Sequence, residues 1–76
     1  MFYYTFSAMI FYEGQIKNAL NLLYKSDVPS TIVEFKKYVE RYHAGPPDSY
    51  SAIVILCWQD ITEENYNYIN VEFLKL

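Results

Sequence analysis

The chain has 76 residues, 53% of them apolar and 20% aromatic, with six basic and nine acidic side chains and a net charge of −3. That length suits one domain, its apolar content excludes a disordered chain, and its acidic balance excludes a general nucleic-acid binder, which needs a basic footprint to displace counterions. A single cysteine allows neither an internal disulfide nor a four-cysteine zinc site, so burial must hold the fold.

Phe2–Tyr12 alternates: Phe2, Tyr4, Phe6, Ala8, Ile10 and Tyr12 share one side, while Thr5 and Ser7 mark the other. That period of two, carried by aromatic and β-branched residues, predicts a long central strand. Glu13-Gly14 predicts a tight hairpin turn, with glycine supplying the positive φ. Gln15–Lys25 fits two templates. Ile16, Leu20, Leu22 and Tyr24 suit a strand with Lys17, Asn21 and Lys25 opposite, whereas Ile16, Ala19, Leu20 and Leu23 suit a helix. The strand is preferred because the turn demands a partner for Phe2–Tyr12.

Ser26–Ser30 breaks the pattern, and Thr31-x-x-Glu34 then reads as a capping box. Ile32, Phe35, Val39 and Tyr42 recur at helical spacing as an inward face, with Glu34, Lys36, Lys37, Glu40 and Arg41 mainly outward. Gly45, Pro46 and Pro47 end that helix. Tyr50–Trp58 contains an unbroken apolar run, too short to cross a bilayer, and is expected to be a buried strand. Asp60 through Glu63 offers a second helix start with acids in the first turn. Tyr66, Ile69 and Phe73 carry the period onward, predicting a helix over Thr62–Leu74; a strand through Ile69, Val71 and Phe73 is the alternative. The expected fold is α+β: one β-β-α-β-α domain over residues 1–76, its three-stranded antiparallel sheet in the order 2-1-3 with a helix on one face. Gln15–Lys25 would be the edge strand needing cover, water or a partner.

Nine tyrosines exceed what one small core hides, so they either line the rim of a thin sheet or form a contact surface. Cys57 lies in the apolar run without a basic neighbour in sequence and is expected to be buried and inert. His43 ends the first helix, where a protonated imidazole would complement the last carbonyls. The sequence contains no phosphate-loop, dinucleotide, zinc-protease, CxxC or EF-hand spacing, so neither an enzyme nor a cofactor or metal is expected.

Charge divides along the chain. Residues 1–43 hold five basic and four acidic groups, and residues 44–76 hold Lys75 against five acids. Two patches are therefore candidates for partner binding. One comprises Lys36, Lys37 and Arg41 with Tyr38; the other comprises Asp60, Glu63 and Glu64 with Tyr66 and Tyr68. A solvated helix face is the plainer reading of the acidic patch. The three cations, interleaved with Glu34 and Glu40, would hold nucleic acid only weakly. The N-terminus lacks a basic region ahead of its apolar stretch, so no secretory leader is read and a cytoplasmic location is expected.

The aromatic opening FYYTF, the helix TIVEFKKYVERYH and the closing AIVILCWQDITEE together resemble compact counter-defence proteins of phages and mobile elements, anti-CRISPR proteins especially. Residues with AT-rich codons (Phe, Tyr, Asn, Ile and Lys) make up 31 of 76, which suits that source. The resemblance is to a class and transfers no site residue. It implies a non-enzymatic inhibitor acting in the host bacterial cytoplasm on a CRISPR effector ribonucleoprotein. Two alternatives stand beside it: a homodimeric structural or regulatory module joined through a sheet edge or aromatic face, and a weak single-strand binder stacking bases on Tyr or Phe.

Overall fold

The computed structural model describes the backbone of residues 1–74 and the side chains of residues 1–70. Strand β1 (Phe2–Tyr12) and β2 (Gln15–Ser26) form a hairpin, followed by helix α1 (Ile32–Tyr42), a 3-10 turn at Pro47–Ser49, β3 (Ala52–Ile61) and α2 (Glu63–Leu74). The strands lie in the order β2-β1-β3, antiparallel throughout. This is the expected α+β architecture, with residues 15–25 in the strand rather than the helical conformation.

The hairpin turn explains that choice. Glu13 and Gly14 both have positive φ, 51° and 79°, and Tyr12 pairs with Gln15 across a two-residue loop. A turn with two positive φ values has the backbone twist that flanking strands need. Strand β1 then presents Tyr4, Phe6, Ala8 and Ile10 to the core on alternate positions. Leu20, Leu22 and Tyr24 of β2 and Ile53 and Ile55 of β3 flank them.

Phe35 and Val39 of α1 close this core and are fully buried. Phe35 stacks on Phe6 at 4.7 Å and meets Tyr4, Tyr24 and Trp58 at centroid distances of 5.2, 5.5 and 5.8 Å. Well-oriented aromatic pairs add about 0.5–1.5 kcal/mol beyond the area they bury. The helix begins where the capping box places it. Val33 N–H donates to Thr31 Oγ1, and Thr31 N–H donates back to the Glu34 carboxylate at 2.7 Å. Just upstream, Ser30 N–H donates to the Tyr4 hydroxyl at 2.9 Å, tying the entry of α1 to the central strand.

Four expectations about burial need correction. Ile32 and Tyr42, read as inward, are exposed. Ile32 and Tyr42 are the first and last residues of α1, and only Phe35 and Val39 between them are buried. Phe2 and Tyr12 are likewise exposed at the ends of β1. The apolar run of β3 is a second sheet edge and not a strand buried on both faces; Ile53 and Ile55 are buried in the core, and Trp58 turns to the same side but stays 46% exposed. Cys57 is consequently exposed. It pairs with Ser7, whose side chain alternates away from the core.

The third strand also runs to Ile61, so Asp60 lies opposite Tyr4 in the sheet rather than in a helix cap. Thr62 caps α2 instead, accepting from Asn65 N–H at 3.1 Å, with Glu63 and Glu64 in the first turn as expected. Backbone alternation puts Tyr3 on the face opposite Tyr4, and there α2 meets it. The Tyr66 ring lies 5.1 Å from Tyr3 and 5.9 Å from the Lys25 ammonium. Tyr66 and Ile69 are half-buried in a helical segment. The side chains of Phe73, of Val71 from the strand alternative, and of Glu72 and Lys75 from the acidic tally lie outside the described residues. Among the described side chains, Tyr66 is the one that meets this face in a ring contact, through Tyr3 and Lys25. Among the described residues no helix is long and apolar enough to cross a membrane.

Candidate functional site

Helix positions 34, 37, 38, 41 and 42 fall on one side of α1, because three- and four-residue steps return to the same face. That side overhangs β2 and forms one wall of a groove of about 880 Å³. Tyr24 from β2 and the Gly45–Tyr50 segment supply the rest of its lining. Pockets of this size accommodate drug-sized molecules or short chain segments.

The segment beyond α1 is folded back by specific bonds. Gly45 adopts φ +80°, and a Cβ there would come within 3.0 Å of Ser49 Oγ, so this corner favours glycine on two counts. The Ser49 hydroxyl points at the carbonyls of Ala44 and Pro46, at 3.1 and 2.7 Å. Lys17 Nζ, reaching from β2, donates to Ser49 O at 2.9 Å. These contacts carry Tyr50 back alongside α1.

Tyr38 is the centre of the groove. Its ring meets Tyr24 edge-on at 5.3 Å, Tyr42 at 5.1 Å and His43 at 5.6 Å. Burial holds the Tyr38 phenol above the ordinary tyrosine value, and the nearby phenols of Tyr66, Tyr42 and Tyr24 add to the shift. It therefore remains a neutral hydroxyl, able both to donate and to accept. Arg41 lies with its guanidinium carbon 5.9 Å from the Tyr42 ring. Tyr42 itself is 63% exposed. The result is an aromatic surface bearing hydroxyls, with Lys37 and Arg41 balanced by Glu34 and Glu40 along it.

Of the first sequence-derived patch, the fold gathers Lys37, Tyr38 and Arg41 into this groove and leaves Lys36 outside its lining. The second patch does not come together as one surface. Asp60 and Glu63 line a smaller cavity of about 340 Å³ with Tyr3 and Ile61. Partial burial, followed by the Glu63 carboxylate, raises the Tyr3 phenol above its ordinary value. Tyr66 packs against Tyr3, while Glu64 and Tyr68 are exposed. Tyr24, Tyr42 and Tyr50 belong to the groove without having been singled out from sequence. Tyr24 follows Leu20 and Leu22 in the strand alternation, a signal that puts it on the side of α1.

The only histidine and the only cysteine lie on opposite sides of the sheet, since His43 ends α1 and Cys57 faces away from it. They form no thiolate–imidazole pair. Among the described residues no cluster of three or more His, Cys, Asp or Glu side chains is arranged to hold a metal ion. The geometry defines a class: a small α+β domain that carries, among its described residues, a tyrosine-lined groove between helix and sheet edge. No protein-family model, curated protein or solved structure matches the chain.

Proposed function

We propose that this chain is a non-enzymatic protein-binding inhibitor whose groove along α1 grips a segment of its target. The observation that carries the reading is the convergence of Tyr24, Tyr38, Tyr42 and Tyr50 with Arg41 in one open concavity. Tyrosine and arginine are the side chains in which protein interfaces concentrate binding energy, because they supply wide, amphipathic contact at low entropic cost. The target that its likeness to phage counter-defence proteins implies is an RNA-guided nuclease effector in the bacterial cytoplasm.

A protein target suits the groove better than nucleic acid does. Glu34 and Glu40 offset Lys37 and Arg41, which leaves little net charge for counterion release from phosphates. The test is retention of purified CRISPR effector ribonucleoproteins on the immobilised chain at low micromolar concentration, with salt varied. One effector is expected to be retained, and Tyr42→Ala or Arg41→Glu is expected to weaken it about tenfold or more, as hot-spot substitutions do. Lys36→Ala, outside the groove, serves as the control. Retention of none of the panel, or retention indifferent to both groove variants, overturns the proposal.

A further inference from the structure

We infer that β3 is a pairing edge through which two copies of this chain join, antiparallel, about a two-fold axis at Val54. This concerns the far side of the molecule from the groove and is independent of what the groove binds. Among the described residues β3 pairs only with β1, so the outward N–H and C=O groups of a ten-residue strand have no strand beside them. Such a row is a template for another strand unless something blocks it.

The two edges of this sheet are treated differently. Strand β2 carries Lys17 and Lys25, and its first five residues are polar, small or projecting beyond the core. Charged side chains of that kind discourage a neighbour. From Ala52 to Gln59, β3 has neither a charge nor a proline. Its outward-facing Val54 and Leu56 are 42% and 54% exposed.

Three features select a second copy as the occupant and set its register. First, an antiparallel pair about a two-fold is self-complementary, so one strand supplies both halves of every bond. Second, side chains directly opposite each other must share a face. Within 52–56 the alternation is regular: Ile53 and Ile55 face the core, and Ala52, Val54 and Leu56 face the open side. The register slip between Ser7 and Ala8 then breaks the alternation, because Cys57 also faces the open side. A dyad at Val54 matches every face within 52–56: Val54 meets itself, Ala52 meets Leu56, and Ile53 meets Ile55. Third, the only charge on β3 is Asp60, which this register leaves six residues from the dyad and outside the paired segment 52–56. Pairing β3 with β2 of another copy would instead lay Lys17 or Lys25 beside the apolar run and would propagate into an open filament.

The joined sheet has six strands in the order β2-β1-β3-β3-β1-β2, with Ala52, Val54 and Leu56 of both copies in one apolar cluster across its open face. Five residues per strand give an interface below the roughly 1,200–2,000 Å² of tight complexes, so association is expected in the range of about 10–100 µM.

Sedimentation equilibrium of the purified chain between about 5 µM and about 1 mM tests this range. The average mass should rise from one chain to two and stop there. Val54→Lys and Val54→Glu should each remain monomeric, since each sets like charges face to face, and mixing the two should restore the dimer. Leu56→Lys provides a second disrupting variant, with folding of each checked by circular dichroism, and Ile16→Lys on β2 should leave the wild-type association unchanged. A wild-type mass that stays at one chain throughout, a mass that grows past two, or a Lys/Glu mixture that remains monomeric overturns the inference.

Discussion

Replacing Tyr4 by Phe removes one oxygen atom and should destabilise the whole domain. The Tyr4 hydroxyl accepts the Ser30 N–H at 2.9 Å, and both residues are buried, at 4% and 8% exposure. Phenylalanine keeps the ring, and with it the contacts to Phe35 and Tyr24 at 5.2 and 6.3 Å. What is lost is the partner of a buried backbone donor, which costs about 1–3 kcal/mol because no water replaces it. A domain of this size has a stability of about 4–11 kcal/mol in all, so a loss near 2 kcal/mol is a large share. The corresponding fall in melting temperature is roughly 8–16 °C. Urea denaturation followed by circular dichroism measures the change, and it should appear as a shifted midpoint at constant slope. Hydrogen exchange at the Ser30 amide locates it, with protection at that site falling more than at Val39. A loss below about 0.5 kcal/mol, or unchanged exchange at Ser30, refutes the claim that this bond anchors the entry of α1.

Thr31→Ala should cost about 1 kcal/mol in the same denaturation assay, the usual value of an N-cap hydroxyl. Hydrogen bonds from Thr31 hold the Glu34 carboxyl below its ordinary value of 4.5, so the separate contribution of that carboxylate is fully present above pH 4.5 and is lost as pH falls through the lowered folded value. Glu34→Gln should flatten the acid limb of a stability–pH profile, and an unchanged limb would contradict the assignment. At the alkaline end the sign reverses. The raised Tyr38 phenol contributes stability that is present below pH 10.0 and lost as pH rises through its folded value, so Tyr38→Phe should reduce the alkaline loss measured by denaturation. Phe35→Ala removes the ring on which four others pack, at a cost of about 3–5 kcal/mol, and should leave little folded protein by circular dichroism at 37 °C.

Local features of the chain were the most legible. The alternation of β1, the Glu13-Gly14 turn and the Thr31–Glu34 box each name a backbone geometry through near neighbours, and each appears where the sequence puts it. The order 2-1-3 followed from a hairpin, one helix and one more strand. Burial was less legible, because it depends on which elements end up next to one another. A helical stripe from Ile32 to Tyr42 looks continuous in sequence, yet only Phe35 and Val39 in its middle are buried. The run Ala52–Trp58 looks buried because every residue is apolar, but an edge strand in a sheet with one well-covered face can hide only alternate side chains. Cys57 was misread for the same reason. The groove was half legible. Lys37, Tyr38 and Arg41 share a helix face and could be grouped by spacing, whereas Tyr24 and Tyr50 join them only through the hairpin and the folded-back corner at Gly45. The acidic patch dissolved because β3 extends to Ile61, which pulled Asp60 into the sheet and away from Glu64 and Tyr68.

Trp58 is the only tryptophan in the chain, and it sits at an unusual boundary: its ring is 5.8 Å from Phe35 while 46% of the residue faces solvent on β3. Its fluorescence therefore has two separable responses. Loss of the core would move the emission toward that of free indole in water, whereas a strand laid along the edge would shield the ring and move the emission the other way. A titration that shifts the spectrum to the blue without altering the far-ultraviolet signal would report occupancy of that edge, with no label and no substitution.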